Sequence, residues 1–152
     1  MLVKSATKAS SSNWFICTIS KATSHNWQIC KDHKIWGIPT NGRKYNRAQA
    51  GKGDYLIFYL ASVGFIGIGQ VTGPMTIPSS KEQAPWAGGI YRYGVILPFK
   101  LLKEVHEPIT VKFQANKVIG TSVSTTLLRR GFSQISTLDG KKIEESFLSI
   151  KG

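Results

Sequence analysis

Apolar residues in this chain come in short, dense runs separated by polar and glycine-rich stretches. The run from Asn13 to Ser20, NWFICTIS, is aromatic and β-branched and predicts a strand. The period then changes. In KATSHNWQICKDHKIW, Trp27, Cys30 and Lys31 fall at i, i+3 and i+4, which predicts a short helix capped by Thr23 or Ser24. Gly37 and Pro39 are expected to stop regular structure, so that Trp36 opens a turn. Residues 40 to 53 read as a loop, with Asn41-Gly42 and Gly51-Lys52-Gly53 as turn signals. DYLIFYLA predicts a buried strand that breaks at Gly64. FIGIGQVTG follows as the second arm of a hairpin, with Phe65, Gly67 and Gly69 on one face and Ile66 and Ile68 on the other. Pro74 to Gly89 is a loop, and IYRYGVILPFKLLKEV reads as a strand with a bend or bulge at Pro98. SVSTTLLRRGF predicts a short helix ended by Gly131, with Arg129 and Arg130 in its last turn, and GKKIEESFLSI a final helix. The sum is an α+β domain over residues 13–152: a small β-barrel or strongly curved mixed sheet flanked by short helices. Residues 1–12 read as a disordered or vector-derived tail.

The 152 residues suffice for one domain with a real core, and no apolar run approaches the ~20 residues of a membrane span. The start, MLVKSATKASSSN, lacks the apolar centre of a signal peptide. Cys17 and Cys30 are too few for a disulfide framework, so a reducing cytoplasm is the expected setting. Charge changes the picture more. Twenty Lys and Arg stand against eight Asp and Glu, a net +12. Residues 1 to 52 hold nine cations and a single anion, Asp32. Such a surface favours a polyanion, with salt-dependent and sequence-independent affinity. No long basic amphipathic helix points to a membrane.

Catalytic patterns are absent: there is no P-loop, no dinucleotide fingerprint, no H-E-x-x-H, no G-x-S-x-G and no nucleobase-deaminase signature. His25, His33 and His106 have no evident partner for general base work. Cys17, His25, Cys30 and His33 are ligand types that suit zinc, but only Cys30 and His33 form a tight pair, so no metal or cofactor is expected. The tryptophans are the stronger lead. Trp14 and Trp27 sit at core positions of a strand and a helix. Trp36 lies at a turn, and Trp86 in the loop QAPWAGG. Loop indoles in a basic domain can stack on bases, at roughly 1–3 kcal/mol per base.

WFICTIS, NWQICKDHKIWGIPTNGRKYNRAQAGKGDYLIFYL and GFIGIGQVTGP together resemble the EVE and YTH domains of the PUA-like superfamily. They are most similar to archaeal stand-alone EVE-type proteins and to the N-terminal modules of McrB-type restriction proteins. The resemblance spans most of residues 13 to 105; NKVIGTSVSTTLLRRGFSQIS matches more loosely. It implies a reader of flipped, often methylated bases. Trp36 takes the place of the first wall of an aromatic cage and Trp86 that of the second. Asn26 takes the place of the amide that touches the base edge, and Ser20 and Lys21 that of the polar residues holding the nucleotide. Gly37 and Ile38 follow the first wall. YTH domains carry a small hydroxyl residue where this chain has Gly37, which removes one polar side chain. Arg129 or Arg130 takes the place of a phosphate-binding arginine.

A flipped base needs two flat walls, a hydrogen-bonding group for its edge and cations for its phosphates. Burying one methyl is worth roughly 0.8 kcal/mol, so discrimination rests on pocket shape and on the cost of desolvating an unmethylated amino group. The expected function is a non-catalytic, monomeric reader of modified DNA, with Arg43, Lys44, Arg47 and Lys52 near phosphates and a nuclease or motor as possible partner. The rivals are an RNA-binding protein reading modified or unmodified RNA, an RNA-cleaving enzyme using His25 or His33, and a structural RNA-binding subunit without a base pocket.

Overall fold

The computed structural model describes residues 12–45 and 49–148. Arg47 lies outside the described residues, as does nearly all of the N-terminal tail. Strand β1 (Trp14–Ile19) is followed by a 3-10 turn over Lys21–Thr23, helix α1 (Asn26–His33) and strand β2 (Ile35–Ile38). Strands β3 (Tyr55–Leu60) and β4 (Gly64–Val71) form a hairpin. A second 3-10 turn (Lys81–Gln83) and the single-turn helix α2 (Gly89–Arg92) lead into the long strand β5 (Val95–Ile109). The remainder is a small hairpin, β6 (Phe113–Gln114) and β7 (Lys117–Val118), then α3 (Thr125–Leu128), β8 (Phe132–Ile135) and α4 (Thr137–Leu148).

Six strands form one mixed sheet in the order β2-β5-β4-β3-β1-β8. Only β1 and β3 run parallel, Trp14 opposite Tyr55 through Ile19 opposite Leu60. That pairing requires a crossover, which α1 and β2 supply. The central strands are buried on both faces, hence the unbroken apolar runs WFICTI and YLIFYL. Phe15, Cys17, Ile19, Leu56 and Phe58 enter one core with Cys30, Trp36 and Trp86. Trp14, Ile16, Ile57 and Tyr59 enter a second core with Ile143 and Phe147 of α4. The glycine spacing of β4 serves packing. A Cβ at Gly69 would lie 2.9 Å from the Phe99 ring and 3.1 Å from that of Phe58, two rings whose centroids are 4.9 Å apart. The sheet curls until its edges approach: Pro39, just after β2, touches Gly131, just before β8.

Four local expectations give way to tertiary contacts. Gly37 does not end regular structure, because Ile35–Ile38 pairs with Val95–Pro98, Trp36 opposite Leu97. Ile90 to Arg92 is helical rather than extended, entered through Gly88 and Gly89 at φ 96° and 53°. The irregularities of β5 leave Leu102 and residues 105–108 out of the β4 register, while Pro98 pairs regularly with Ile35. The residue preceding α1 is His25, and Ser20 caps the 3-10 turn instead, accepting a hydrogen bond from the Ala22 N–H at 3.2 Å. Trp27 fastens α1 to the sheet. Its ring tilts against Phe58 at 4.6 Å, and its Nε1 donates to Glu104 of β5 at 3.2 Å.

Candidate nucleic-acid interface

Where the sheet edges meet, a cavity of about 590 Å³ opens. Drug-sized ligands occupy pockets of roughly 300–1,000 Å³. Its walls come from segments far apart in sequence. The end of β1 gives Thr18, Ile19 and Ser20, α1 gives Asn26 and Cys30, and β2 gives Trp36 and Gly37. The segment around α2 gives Trp86, Arg92 and Tyr93, and the α3–β8 turn gives Leu128, Arg129 and Gly131. The lining is apolar and aromatic with a few converging polar groups, the usual make-up of a ligand site.

Both lead tryptophans line it, but neither is a surface residue: Trp36 and Trp86 are each 4% exposed. Trp36 lies within β2, edge-on to Phe58 at 5.7 Å, and its Nε1 is buried with no hydrogen-bond partner. Trp86 lies across the backbone of Gly37, where a Cβ would come within 2.7–3.0 Å of three atoms of the indole. Gly37 therefore has no room for a side chain unless the Trp86 ring shifts. On its other side Trp86 meets Tyr93 at a centroid distance of 5.0 Å. The Cys30 thiol interacts with both the Trp86 side chain and the Gly37 backbone.

Asn26 is buried at the N-terminus of α1. Its Nδ2 donates to the Tyr93 hydroxyl at 3.1 Å, while its Oδ1 has no partner. A tyrosine hydroxyl both donates and accepts, so a flipped amide would keep that bond and leave Nδ2 free instead. Either way one amide group in the cavity wall is unsatisfied, at a cost of about 1–3 kcal/mol. Desolvation by burial raises the Tyr93 phenol above its ordinary pKa, so it stays protonated at neutral pH. Arg92 lies over the Tyr93 ring at 5.4 Å. The Arg92 carbonyl accepts from Thr40 N at 2.8 Å and the Thr40 hydroxyl accepts from Gly94 N at 2.9 Å, so residues 40–42 hold this segment in place.

The candidates named from sequence divide by position. Ser20, Asn26, Trp36, Gly37, Trp86 and Arg129 line the cavity. Lys21 and Arg130 are exposed next to lining residues, and Ile38 is buried in the core between the lining residues Gly37 and Pro39 without lining the cavity itself. Arg43 and Lys44 are exposed on the loop that clasps Arg92. Lys52 sits in the turn before β3, whereas Tyr59 at the far end of β3 lines the cavity; six extended residues place these about 20 Å apart. Cys30, Arg92, Tyr93 and Phe113 are lining residues that the pattern did not reveal. Tyr93 was obscured because IYRYG reads as the start of a strand, although Gly88-Gly89 and Gly94 bracket it as a turn would.

The cavity lining holds no histidine and no carboxylate. Its one thiol, Cys30, is pushed up to about 12 by burial, partly offset by its hydrogen bonds from Trp86 and Gly37, and is protonated at neutral pH. Burial and the neighbouring Cys30 raise the Cys17 thiol as well. Among the described residues no group of three or more His, Cys, Asp or Glu could hold a metal ion. Of the chain's 20 Lys and Arg, only Lys31 and Lys142 form ion pairs with acids among the described residues, which leaves most of the positive charge to attract a polyanion.

No protein-family model matches the chain, and no curated protein matches it in sequence. Solved structures do match in shape. A hypothetical protein from Leishmania major is 12% identical with a TM-score of 0.63, over 92% of this chain and 97% of that one. The Pho92 YTH domain in complex with m6A is 14% identical with a TM-score of 0.64, over 93% and 86%. The Toxoplasma CPSF4 YTH domain in complex with a 7-mer m6A-modified RNA is 18% identical with a TM-score of 0.58, over 93% of each chain. At such low identity the likeness establishes shape, and that shape agrees with the sequence resemblance in its curled mixed sheet and short flanking helices. The chain thus carries a YTH-like fold.

Proposed function

We propose that this chain is a non-catalytic RNA-binding domain that takes one flipped, methylated base into the cavity between Trp36, Trp86 and Tyr93. The observation that carries the reading is an aromatic cavity whose wall holds two buried polar groups without partners, one on Asn26 and the Nε1 of Trp36. Unsatisfied buried groups are costly and call for an explanation, and a heterocyclic base supplies both a donor and an acceptor along its edge. Arg92 and Arg129 at the same cavity supply charge for the flanking phosphates. The lack of an acid–base pair in the lining supports binding over cleavage, and His25 and His33 are exposed and outside the lining. RNA is favoured over DNA because the YTH neighbours include complexes with m6A-modified RNA. The expected preference for DNA finds no support among them, nor does a nuclease or motor partner.

Asn26→Leu tests this reading. Leucine keeps the branched outline of asparagine with bulkier ends, and removes the unsatisfied amide together with its bond to Tyr93, so the free protein should change in stability by no more than about 1–2 kcal/mol. Binding of a methylated RNA should fall at least tenfold, about 1.4 kcal/mol, because the base edge loses its partner. Unchanged binding would show that Asn26 does not read the base. A large loss of stability would show that its amide is structural.

A further inference from the structure

Six of the seven phenylalanines are buried to within 3% of full coverage, and the exception is Phe113, 45% exposed. Phe113 is also a lining residue of the base cavity, beside Thr125, Leu128 and Arg129. An aromatic ring half in water at the mouth of a binding cavity has no packing role that requires exposure. It stands on a firm base. Phe113 and Val118 pair across the β6–β7 hairpin, whose turn residues Ala115 and Asn116 both have positive φ, 53° and 65°. This is the twist-matched turn that favours tight two-residue hairpins. Thr125 N donates to the Asn116 carbonyl at 3.0 Å and Val118 N to the Val123 carbonyl at 2.8 Å, tying the hairpin to α3. Thr18 of β1, itself a lining residue, donates its hydroxyl to the Leu128 carbonyl at 2.8 Å and ties α3 to the sheet.

The charge of this segment selects its partner. From Pro108 to Leu138 the chain has four cations, Lys112, Lys117, Arg129 and Arg130, and no acid. All four are exposed, and none forms an ion pair among the described residues. An exposed aromatic set among unpaired cations is the composition of a stacking platform for single-stranded nucleic acid. An apolar protein partner would gain nothing from the cations.

We infer that Phe113 is a second nucleotide subsite, on which the base next to the flipped one stacks while Arg129, which lines the same cavity, holds the phosphate between them. This rests on the base-cavity reading for its anchor. It extends that reading from one nucleotide to at least two, and it makes the hairpin a determinant of affinity for a strand.

The test is fluorescence anisotropy with a labelled single-stranded RNA heptamer carrying one central N6-methyladenine, alongside versions in which the nucleotide on its 5′ side, its 3′ side or both is abasic. For the parent protein, removing the stacked base should weaken binding roughly 5- to 150-fold, the range that one base–aromatic stack is worth. Phe113→Ala should cause the same loss on the intact heptamer, and the abasic heptamers should then lose nothing more. Phe113→Trp should bind the intact heptamer as tightly as the parent or more so. Thermal melting of each variant checks that the hairpin change has not unfolded the domain. The inference is overturned if neither abasic substitution matters to the parent, or if the abasic and Phe113→Ala losses multiply. Failure of the cavity reading is seen separately. If Trp36→Phe and Asn26→Leu leave binding unchanged while the Phe113 coupling persists, the platform exists without a base cage.

Discussion

Trp86→Ala is expected to remove about 3–5 kcal/mol of folding stability, the usual cost of emptying a buried indole site. The ring lies on Gly37, against Tyr93 and over the Cys30 thiol, and is 4% exposed. Its loss leaves a void between β2 and the segment carrying α2. Domains of this size have total stabilities of about 5–15 kcal/mol, so the variant should fold only marginally. Denaturant titration reads the effect as a lower midpoint at unchanged slope. A loss below about 1 kcal/mol would contradict the burial described here, since exposed side chains usually change stability by no more than ~0.5 kcal/mol. Methylated-RNA binding should be lost as well, but binding alone is ambiguous in a protein near its unfolding threshold. The second prediction separates the two roles.

Gly37→Ala leaves both tryptophans in place and asks whether their spacing matters. The new Cβ would sit 2.7–3.0 Å from three ring atoms of Trp86, closer than carbon atoms tolerate. The ring must shift, which in a filled site costs about 1–3 kcal/mol. The Cys30 contact to Trp86 and the Trp86–Tyr93 contact are both disturbed by that shift, so the cavity wall moves and affinity for a methylated base falls. Pairing the change with Trp86→Phe makes it decisive. The smaller ring gives the methyl room, so the double variant should be more stable than the sum of the single losses implies, with a coupling of about 0.5–3 kcal/mol. Strict additivity would mean that Trp86 does not rest on Gly37.

Charge, aromatic content and apolar rhythm carried much of this architecture into the sequence. WFICTI and YLIFYL are legible as buried strands because they are apolar at every position, a demand made only of strands covered on both faces. IEESFL is legible as a helix because Ile143 and Phe147, four residues apart, both face the second core. β2 is not legible. Its Gly37 is kept free of a side chain by Trp86, some fifty residues away, and its strand state comes from pairing with β5. Local preference has no access to either contact. The sequence places Trp36 at a turn, as a loop indole able to stack, whereas pairing carries it into the wall of a cavity.

The candidate site was legible by residue type more than by place. Indole, amide and arginine are what a base and its phosphates require, and Trp36, Trp86, Asn26 and Arg129 do converge. Tyr93, which closes the same wall and holds the Asn26 amide, is hidden in an extended-looking segment. Lys52 belonged by composition to the basic loop, but the sheet carries it to the opposite end. Net charge also has no view of the sugar. A +12 chain attracts any polyanion, while RNA and DNA differ at a 2′-hydroxyl that only positioned side chains can sense.

The most direct measurement is the affinity of the parent protein for one single-stranded heptamer in four forms: RNA and DNA, each with and without a central N6-methyladenine, at a single fixed salt concentration. The account predicts that methylated RNA binds tightest, about tenfold or more above unmethylated RNA, which is about 1.4 kcal/mol. Methylated DNA should fall below methylated RNA. Equal affinity for the methylated and unmethylated RNA, or tighter binding of the methylated DNA, would contradict it.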